Sequence, residues 1–243
     1  MLMQQFTGRA VTHPGTRRDY NEDAFVDRPD LGLWAVADGV GGHQAGDVAS
    51  QMISSTLETI PASLTAEEML SHARMRIGAT HLALQQLAAT KGEGMTVAST
   101  VVILIIRQEH FVCLWAGDSR AYLLRGGKLL RISRDHSLVQ DLVDSGNLTE
   151  AEAVDHPRGN IITRAVGDAS ETLELDKVTG RTACGDRFLL CSDGLSKVLD
   201  DQRIAELLGD VAIEDATDKL ITEALVRGTT DNVTAVTIGV TGP

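Results

Sequence analysis

The sequence predicts an α+β fold in which the strands pair antiparallel. Three apolar, β-rich segments, at 101–106, 111–115 and 121–124, follow one another with only short polar breaks. Strands this close in sequence pair antiparallel, because a parallel pair needs a crossover of about a dozen residues or more. Before them, apolar residues recur at helical spacing up to about residue 90.

The first third of the chain contains short strands, glycine turns and then two helices. A buried strand that includes Trp34 stops at Asp38-Gly39, and a helical pattern starts at Asp47 and ends before Pro61. Thr65 has the features of a helix N-cap. The elements expected here are strands at 6–12, at 24–26 and around 34–36, and helices at 47–60 and 66–90.

A polar, loop-rich segment marks the second half of the chain. It runs from about Arg134 to Pro157 and contains one amphipathic stretch at 138–143, and we interpret it as a flap over a site. Beyond this segment the sequence predicts strands at 173–179, 188–191 and 233–240 and helices at 201–208 and 213–227.

Composition limits the possible functions. The chain has 243 residues, 43% of them hydrophobic, and no linker or repeat, so we expect 1–243 to form one domain. A net charge of −12 argues against nucleic acid or an anionic membrane as partner. Residues 1–11 lack the apolar region of a signal peptide, and the longest apolar run, 101–106, cannot span a bilayer. We therefore expect a soluble cytoplasmic protein, with a monomer as the default.

The three cysteines carry no predicted chemistry. Cys113, Cys184 and Cys191 are an odd number in apolar, strand-like segments, which favours buried free thiols over a disulfide framework or a zinc site. Cys113 also precedes Arg120 by one residue too many for the Cys-x5-Arg loop of a thiol phosphatase.

Aspartates recur at the ends of the apolar strands. Asp38, Asp118, Asp193 and Asp231 each end or open one, and the first three adjoin a glycine. One Asp-Gly turn is common and needs no function. Four carboxylates at a common sheet edge would raise one another's pKa unless a cation balanced them. Oxygen ligands without organised Cys or His favour Mg²⁺ or Mn²⁺ over zinc, in a two-metal site with ions about 4 Å apart.

Two further segments bear on this hypothesis. A carboxylate at the mouth of the glycine loop, Asp38, would repel bare phosphate, and Asp47 stands where a phosphate-binding loop requires Lys. We therefore expect a divalent cation to recruit phosphate there. Arg18 and the Glu22-Asp23 pair precede a predicted strand and project from its end, unless they form a solvated loop with internal ion pairs.

Taken together, the motifs resemble the bacterial PP2C-type (PPM) protein serine/threonine phosphatases across nearly the whole chain. In order they are Arg18-x-x-Asn21-Glu22-Asp23, Asp38-Gly39-Val40-Gly41-Gly42-His43-x-Ala45-Gly46, Gly117-Asp118-Ser119-Arg120, Asp135-His136-Ser137, Ile162-Thr163-Arg164-Ala165, Ser192-Asp193-Gly194-Leu195 and Thr230-Asp231-Asn232-Val233-Thr234. The resemblance implies a four-layer αββα sandwich, two antiparallel sheets flanked by helical layers, with a dinuclear site in a cleft at one edge. It also implies that residues 138–160 form a variable flap beside that cleft.

The resemblance also implies a set of metal ligands for two Mn²⁺ or Mg²⁺ ions. By this similarity Asp38 bridges both ions, and a weaker third ion binds between Asp118 and Asp193. Many relatives carry an acidic residue where this chain has Lys197, which leaves the third ion open. The implied ligands of the two main ions are Glu22, Asp38, the Gly39 carbonyl, Asp193 and Asp231.

The implied reaction is hydrolysis of phosphoserine or phosphothreonine in proteins by a metal-bridging water. Arg18 is expected to hold the phosphoryl oxygens, Asp38 to position the ions, and His43 to protonate the departing oxygen, unless His43 only anchors the glycine loop. Asp23 and Asn232 are expected to support the ligands.

The implied partners are phosphoproteins, among them the targets of a Hanks-type kinase and the kinase itself. The alternatives are a catalytically silent regulatory module of the same fold and a metal-dependent nuclease. The presence of every expected ligand argues against the silent module, and the acidic net charge argues against the nuclease.

Overall fold

Two antiparallel β-sheets lie face to face at the centre of the fold. The structure, a computed structural model, describes residues 5–40, 45–92, 94–154 and 156–242. The strands are β1 (Gln5–His13), β2 (Asp23–Arg28), β3 (Leu33–Val40), β4 (Ala98–Ser99), β5 (Val101–Arg107), β6 (His110–Ala116), β7 (Arg120–Arg125), β8 (Lys128–Arg131), β9 (Asp176–Arg181), β10 (Arg187–Cys191) and β11 (Val233–Thr241). The helices are α1 (Ala45–Glu58), α2 (Ala66–Lys91), α3 (Leu138–Asp144), α4 (Glu150–Val154), α5 (Asp193–Ser196), α6 (Asp201–Gly209) and α7 (Ile213–Val226).

Both sheets mix strands from distant parts of the chain. The first has the order β1-β11-β10-β7-β8, and the second has the order β2-β3-β5-β6-β9 with β4 paired to β3. Every pair among the described strands is antiparallel. The close spacing predicted this for β5 and β6, which do pair, but β7 lies in the other sheet and does not pair with β6. Because β10 and β11 are neighbours, the segments just after β10 and just before β11 meet at one edge.

Three apolar clusters define four layers. Between the sheets, the inward faces of both bury one cluster that includes Trp34, Leu104 and Phe188. Helices α1 and α2 cover the second sheet through a cluster that includes Ile53, and α6 and α7 cover the first through one that includes Leu220. The layers are therefore helix, sheet, sheet, helix, and the predicted αββα sandwich is confirmed.

Most predicted elements lie where the sequence placed them. Helix α2 begins after Thr65, which forms a capping box with Glu68, as its N-cap features predict. The strand predicted at 173–179 was wrong at its start, since β9 begins at Asp176. Leu173 and Leu175 pack instead against the cluster beneath α1 and α2, which explains their apolar character without strand pairing.

The cysteines correct one prediction. Cys113 and Cys191 are buried free thiols, whose burial raises their pKa, but Cys184 is exposed. It lies in the turn between β9 and β10, where its Sγ accepts a hydrogen bond from the amide of Gly242 at 3.2 Å. Its apolar neighbours belong to the flanking strands and do not bury it.

No helix in the described part of the chain is long and apolar enough to cross a membrane.

Candidate active site

The aspartates predicted from strand ends lie at one edge of the sandwich. Asp23 opens β2 and stands directly opposite Asp38 near the end of β3. Asp193 lies two positions after the end of β10, Asp231 lies two positions before the start of β11, and Asp118 lies in the turn between β6 and β7. The carboxylates thus come from both sheets.

The other carboxylates of this group surround Asp38. Burial raises the pKa of Asp38 well above its ordinary value, and the neighbouring carboxylates of Asp23, Asp193, Asp118 and Asp231 raise it further, in that order. Each of the four is therefore close enough to repel a negative charge on Asp38. A cation held among them would relieve that repulsion.

Ser99, at the end of β4, and Thr100, between β4 and β5, fix the backbone of Asp38. Its amide donates to Oγ1 of Thr100 at 3.1 Å, and its carbonyl accepts from the Thr100 amide at 2.8 Å and from Oγ of Ser99 at 2.9 Å. Thr100 also contacts Oγ of Ser119, beside Asp118, at 2.7 Å. One hydroxyl chain therefore connects the positions of Asp38 and Asp118.

Asp23 joins the two sheets beneath the group. Its Oδ2 accepts hydrogen bonds from Oγ of Ser192 at 2.8 Å and from Oγ1 of Thr234 at 2.6 Å, both on the first sheet's side. Its Oδ1 is buried without a hydrogen-bond partner. Burial raises the pKa of Asp23 to about 7 against the lowering effect of both hydroxyls, and Asp193 and Asp231 add to the rise.

Asn232 anchors the loop that carries Arg18 and Glu22. Its side-chain amide donates to the carbonyls of Pro14 at 3.0 Å and Tyr20 at 2.8 Å, and its Oδ1 accepts from the amide of Glu22 at 2.9 Å. The residue is only 5% exposed. Its contacts fix the main chain at Glu22 against the start of β11.

Two glycines allow the start of α1 to approach the end of β3. A β-carbon on Gly39 would lie 2.2 Å from the carbonyl oxygen of Gly46, and one on Gly46 would lie 2.9 Å from Oε1 of Glu22. The amide of Gly39 also donates to the carbonyl of Glu22 at 3.1 Å. Glu22 and Gly39, both predicted ligands, are thus adjacent, and glycine is required at both crossing positions.

His136 holds the turn that carries Asp118. The amide of Gly117, which has a φ of 111°, donates to Nδ1 of His136 at 3.1 Å, and the amide of His136 donates to the carbonyl of Gly117 at 3.0 Å. Asp118 is 6% exposed, and its Oδ1 lacks a hydrogen-bond partner. Burial and then Asp193 raise its pKa to about 7, while Lys197 lowers it.

Two of the carboxylates already contact cationic side chains. Asp231 pairs with the guanidinium of Arg18, with Nη2 lying 3.1 Å from Oδ1 and 3.2 Å from Oδ2. Asp193 pairs with the ammonium of Lys197 through its Oδ2, while its Oδ1 is buried without a partner. Repulsion within the group is therefore partly balanced by side chains at two of its members.

Divalent ions fit this donor set. Within the described segments no three acidic, histidine or cysteine side chains converge closely enough to enclose an ion as they stand. However, Asp23, Asp118 and Asp193 each retain a buried carboxylate oxygen with no hydrogen-bond partner. Buried unpaired carboxylate oxygens require a proton or a cation, and an all-oxygen set suits Mg²⁺ or Mn²⁺.

A cleft of ≈ 560 Å³ opens beside the group, between the flap and the segment that follows α5. Its lining includes Asp118, Asp193, Lys197, Gln140 on α3 and His156. Described residues of the 138–160 segment therefore line one wall of the cleft. The predicted proton donor, His43, lies outside the described residues.

Sequence reasoning missed the hydroxyl and imidazole groups that position these aspartates. Ser99, Thr100, Ser192 and Thr234 are fully buried at strand ends, and His136 is nearly so. The only sign of these groups in the sequence is a serine or threonine next to an Asp or an apolar strand. That pattern is common, and it does not reveal which carboxylate the hydroxyl contacts.

The chain is similar in sequence and in structure to known proteins. The sequence model of a family described as protein phosphatase 2C matches residues 12–227. The serine/threonine phosphatase Stp of Listeria monocytogenes is 34% identical over 235 residues, which cover 93% of this chain and 93% of that protein. PstP of Mycobacterium tuberculosis is 37% identical over 224 residues, which cover 91% of this chain and 42% of that protein.

Solved structures show the same architecture. PppA, described as a key regulatory component of T6SS in Pseudomonas aeruginosa, matches with a TM-score of 0.90 and 40% identity, over 98% of this chain and 99% of that one. The catalytic domain of PstP in complex with two manganese ions matches with a TM-score of 0.88 and 33% identity, over 98% of this chain and 100% of that one.

Proposed function

This chain belongs to the protein phosphatase 2C family, and from that premise we propose that it hydrolyses phosphoserine and phosphothreonine in proteins with two Mn²⁺ or Mg²⁺ ions. The observation that carries the proposal is the electrostatic state of Asp38, whose pKa is raised by burial and by four surrounding carboxylates. A structural role would not require so many mutually repelling acids at one sheet edge.

The proposed ligands are the residues around that centre. Asp38 would serve both ions, Glu22 and the Gly39 carbonyl would serve one of them, and Asp193 and Asp231 would serve the other. The unpaired buried oxygen of Asp193 and the adjacency of Glu22 and Gly39 support this assignment. When bound, the ions supply Lewis acidity and a water acidic enough to attack phosphorus in line, so no protein nucleophile is needed.

Arg18 is the proposed phosphate clamp. Its side chain is 53% exposed and rests on Asp231 at the edge of the group, so it can turn toward a phosphoryl group bound there. A guanidinium binds two phosphoryl oxygens at once, which a lysine ammonium cannot reproduce. Exchange of the Asp231 contact for substrate oxygens costs little, because an ion pair this exposed is weak.

Other residues of the site position the proposed ligands. Asp23 and Asn232 fix the loop and strand that carry Glu22, and Thr100 fixes Asp38. His43 is proposed to protonate the departing serine or threonine oxygen. The flap at 138–160 forms one wall of the cleft and is proposed to influence which phosphoproteins enter.

The proposed physiological partners are phosphoproteins that a Hanks-type kinase produces, including the kinase itself, and the proposed state is a cytoplasmic monomer. A silent module is not favoured, because family membership is accompanied by the full set of predicted ligands in Glu22, Asp38, Asp193 and Asp231.

The test is hydrolysis of an aryl phosphate and a phosphothreonine peptide by purified protein, with and without Mn²⁺. We expect metal-dependent turnover of both, abolished in Asp193→Asn and retained in Asp218→Asn, an acid on α7 that pairs with Arg9 on the surface. Folded protein without turnover under any divalent metal would contradict the proposal, as would full activity of Asp193→Asn.

A further inference from the structure

We propose that the ammonium of Lys197 is a built-in cation for the Asp118 and Asp193 end of the carboxylate group, and that it keeps an additional divalent ion from binding there. The inference rests on the proposed function, since it concerns the number of exchangeable ions at the same site. It predicts that the chain holds two such ions and gains a third only when the charge of Lys197 is removed.

A short covalent tether joins Lys197 to Asp193. Lys197 caps the C-terminus of α5 four residues after Asp193, and its amide donates to the carbonyl of Asp193 at 2.9 Å. Its ammonium then pairs with Oδ2 of the same aspartate. Because one short helical turn joins the two residues, the Lys197 ammonium stays close to Asp193 at any concentration of metal ion in solution.

Lys197 also lies close to a second acid. Asp118, Asp193 and Lys197 line the same cleft. The ammonium that pairs with Asp193 therefore shares this cleft with the carboxylate of Asp118. Asp118 is 94% buried and keeps an unpaired oxygen, so its carboxylate has an unmet need for positive charge.

The arginine side chains that line the cleft contact a different acid. Arg120 donates to Asp135 through Nε at 3.0 Å and through Nη2 at 2.6 Å, and Arg131 lies 3.9 Å from the same carboxylate. Among the lysine and arginine side chains that line the cleft in the described chain, this leaves Lys197 facing Asp193.

The two cation-paired aspartates differ in a way that fits this role. The side chains of Arg18 and Asp231 are 53% and 42% exposed, so solvent weakens their attraction and an incoming ion or phosphate can replace the contact. In the second pair the lysine side chain is 40% exposed, but the aspartate side chain is only 14% exposed. An ion entering between Asp118 and Asp193 would meet the repulsion of an ammonium that the backbone keeps nearby.

The experiment counts bound ions without using activity. Metal-free full chain is titrated with Mn²⁺ by calorimetry, and the bound metal is measured independently after equilibrium dialysis. We expect two ions per chain for the wild type and for Lys197→Arg, which keeps the charge. Lys197→Gln should bind a third ion. Its affinity for that ion should exceed any residual wild-type affinity at the same position by at least about tenfold, because one adjacent like charge has been removed.

Two further variants locate the effect. Lys219→Gln removes an exposed lysine on α7 and should behave as wild type. Adding Asp118→Asn to Lys197→Gln should return the count to two, because the third ion would lose its buried ligand.

The outcomes separate this inference from the proposed function. Three ions bound by the wild type, or two bound with unchanged affinity by Lys197→Gln, would overturn the role of Lys197 and leave the phosphatase proposal intact. Absence of any Mn²⁺ binding in folded wild-type protein would overturn both.

Discussion

The hydroxyl of Ser192 donates a hydrogen bond to Oδ2 of Asp23 at 2.8 Å and so joins the two β-sheets beneath the carboxylate group. The amide of Thr234 donates to that same hydroxyl at 2.9 Å, and Oγ1 of Thr234 donates to Asp23 at 2.6 Å. Asp23 on β2, Thr234 on β11 and Ser192 just after β10 thus form one buried polar network beside the proposed metal ligands.

Breaking this network should cost stability. Thr234→Val keeps the shape of the side chain but leaves Oδ2 of buried Asp23 with one partner fewer, so we expect a loss of about 1–3 kcal/mol in the free energy of unfolding. Urea denaturation of the metal-free protein measures this change in the free energy of unfolding. Ser55→Ala, at an exposed position of α1, is the control and should change stability by less than about 0.5 kcal/mol. Equal effects of the two substitutions would show that the network contributes nothing.

The metal-free protein should lose stability as pH rises, through its buried acids. Asp118 has a pKa of about 7, raised by burial and by Asp193, whereas an aspartate in an unfolded chain titrates near pH 4. Between about pH 4 and about pH 7 the unfolded chain releases this proton while the folded chain keeps it. The stabilising contribution of the protonated group is therefore complete below about pH 4 and disappears as pH rises through about 7.

The comparison that isolates this effect is wild type against Asp118→Asn. Denaturation across that pH range should show the variant gaining stability relative to the wild type as pH increases. A difference in stability that does not change with pH would contradict the raised pKa. Saturating Mn²⁺ should reduce the difference at neutral pH, because the cation favours the ionised acid.

The close approach of Gly46 and Gly39 predicts a backbone effect on metal binding. Gly46→Ala would place a β-carbon 2.7 Å from the carbonyl carbon of Gly39 and 2.9 Å from Oε1 of Glu22, so the end of β3 or Glu22 must move. We expect at least about tenfold weaker Mn²⁺ binding by calorimetry, as when a group that orients a ligand is lost.

Gly78→Ala provides the matched control for that substitution. It lies within α2, where a β-carbon has no neighbour within 4 Å, and should stabilise the helix by about 0.5–1 kcal/mol without changing metal affinity. Unchanged Mn²⁺ affinity in folded Gly46→Ala would refute the importance of this contact.

Arg18 should act on phosphate rather than on stability. Replacing it with Ala or Lys should lower kcat/KM for a phosphothreonine peptide by about 10- to 100-fold, since charge-assisted hydrogen bonds to one phosphoryl group are lost or reduced. Steady-state kinetics of the peptide measure this. Arg9→Ala, which removes a comparably exposed pairing with Asp218, should leave kcat/KM unchanged. Normal kcat/KM in Arg18→Lys would argue against two-point contact with the phosphoryl group.

The parts of the site that sequence reasoning found are those in which one residue carries the signal. Asp38, Asp118 and Asp193 stood out because an acid beside a glycine interrupts a strongly apolar strand. The αββα arrangement followed from motif resemblance and was confirmed. Convergence of these acids followed from one physical argument, that strands of paired sheets share edges.

The parts that were missed depend on register and on long-range contacts. That Asp23 stands opposite Asp38 depends on the exact pairing of β2 with β3, which the residues alone do not specify. The partnership of Ser192 with Asp23 spans 169 positions along the chain. Cys184 was wrongly predicted as buried because strand-like composition does not distinguish a strand from the turn beside it.

The central claim is that carboxylates around Asp38 hold the ions that make this chain a phosphatase. The most direct measurement is the rate of phosphothreonine peptide hydrolysis after the protein is stripped of metal and Mn²⁺ is restored, for the wild type and Asp38→Asn. We predict that Mn²⁺ restores turnover to the wild type and that folded Asp38→Asn remains inactive and does not retain the ions. Equal turnover of both proteins, or wild-type turnover that persists without any divalent ion, would contradict the claim.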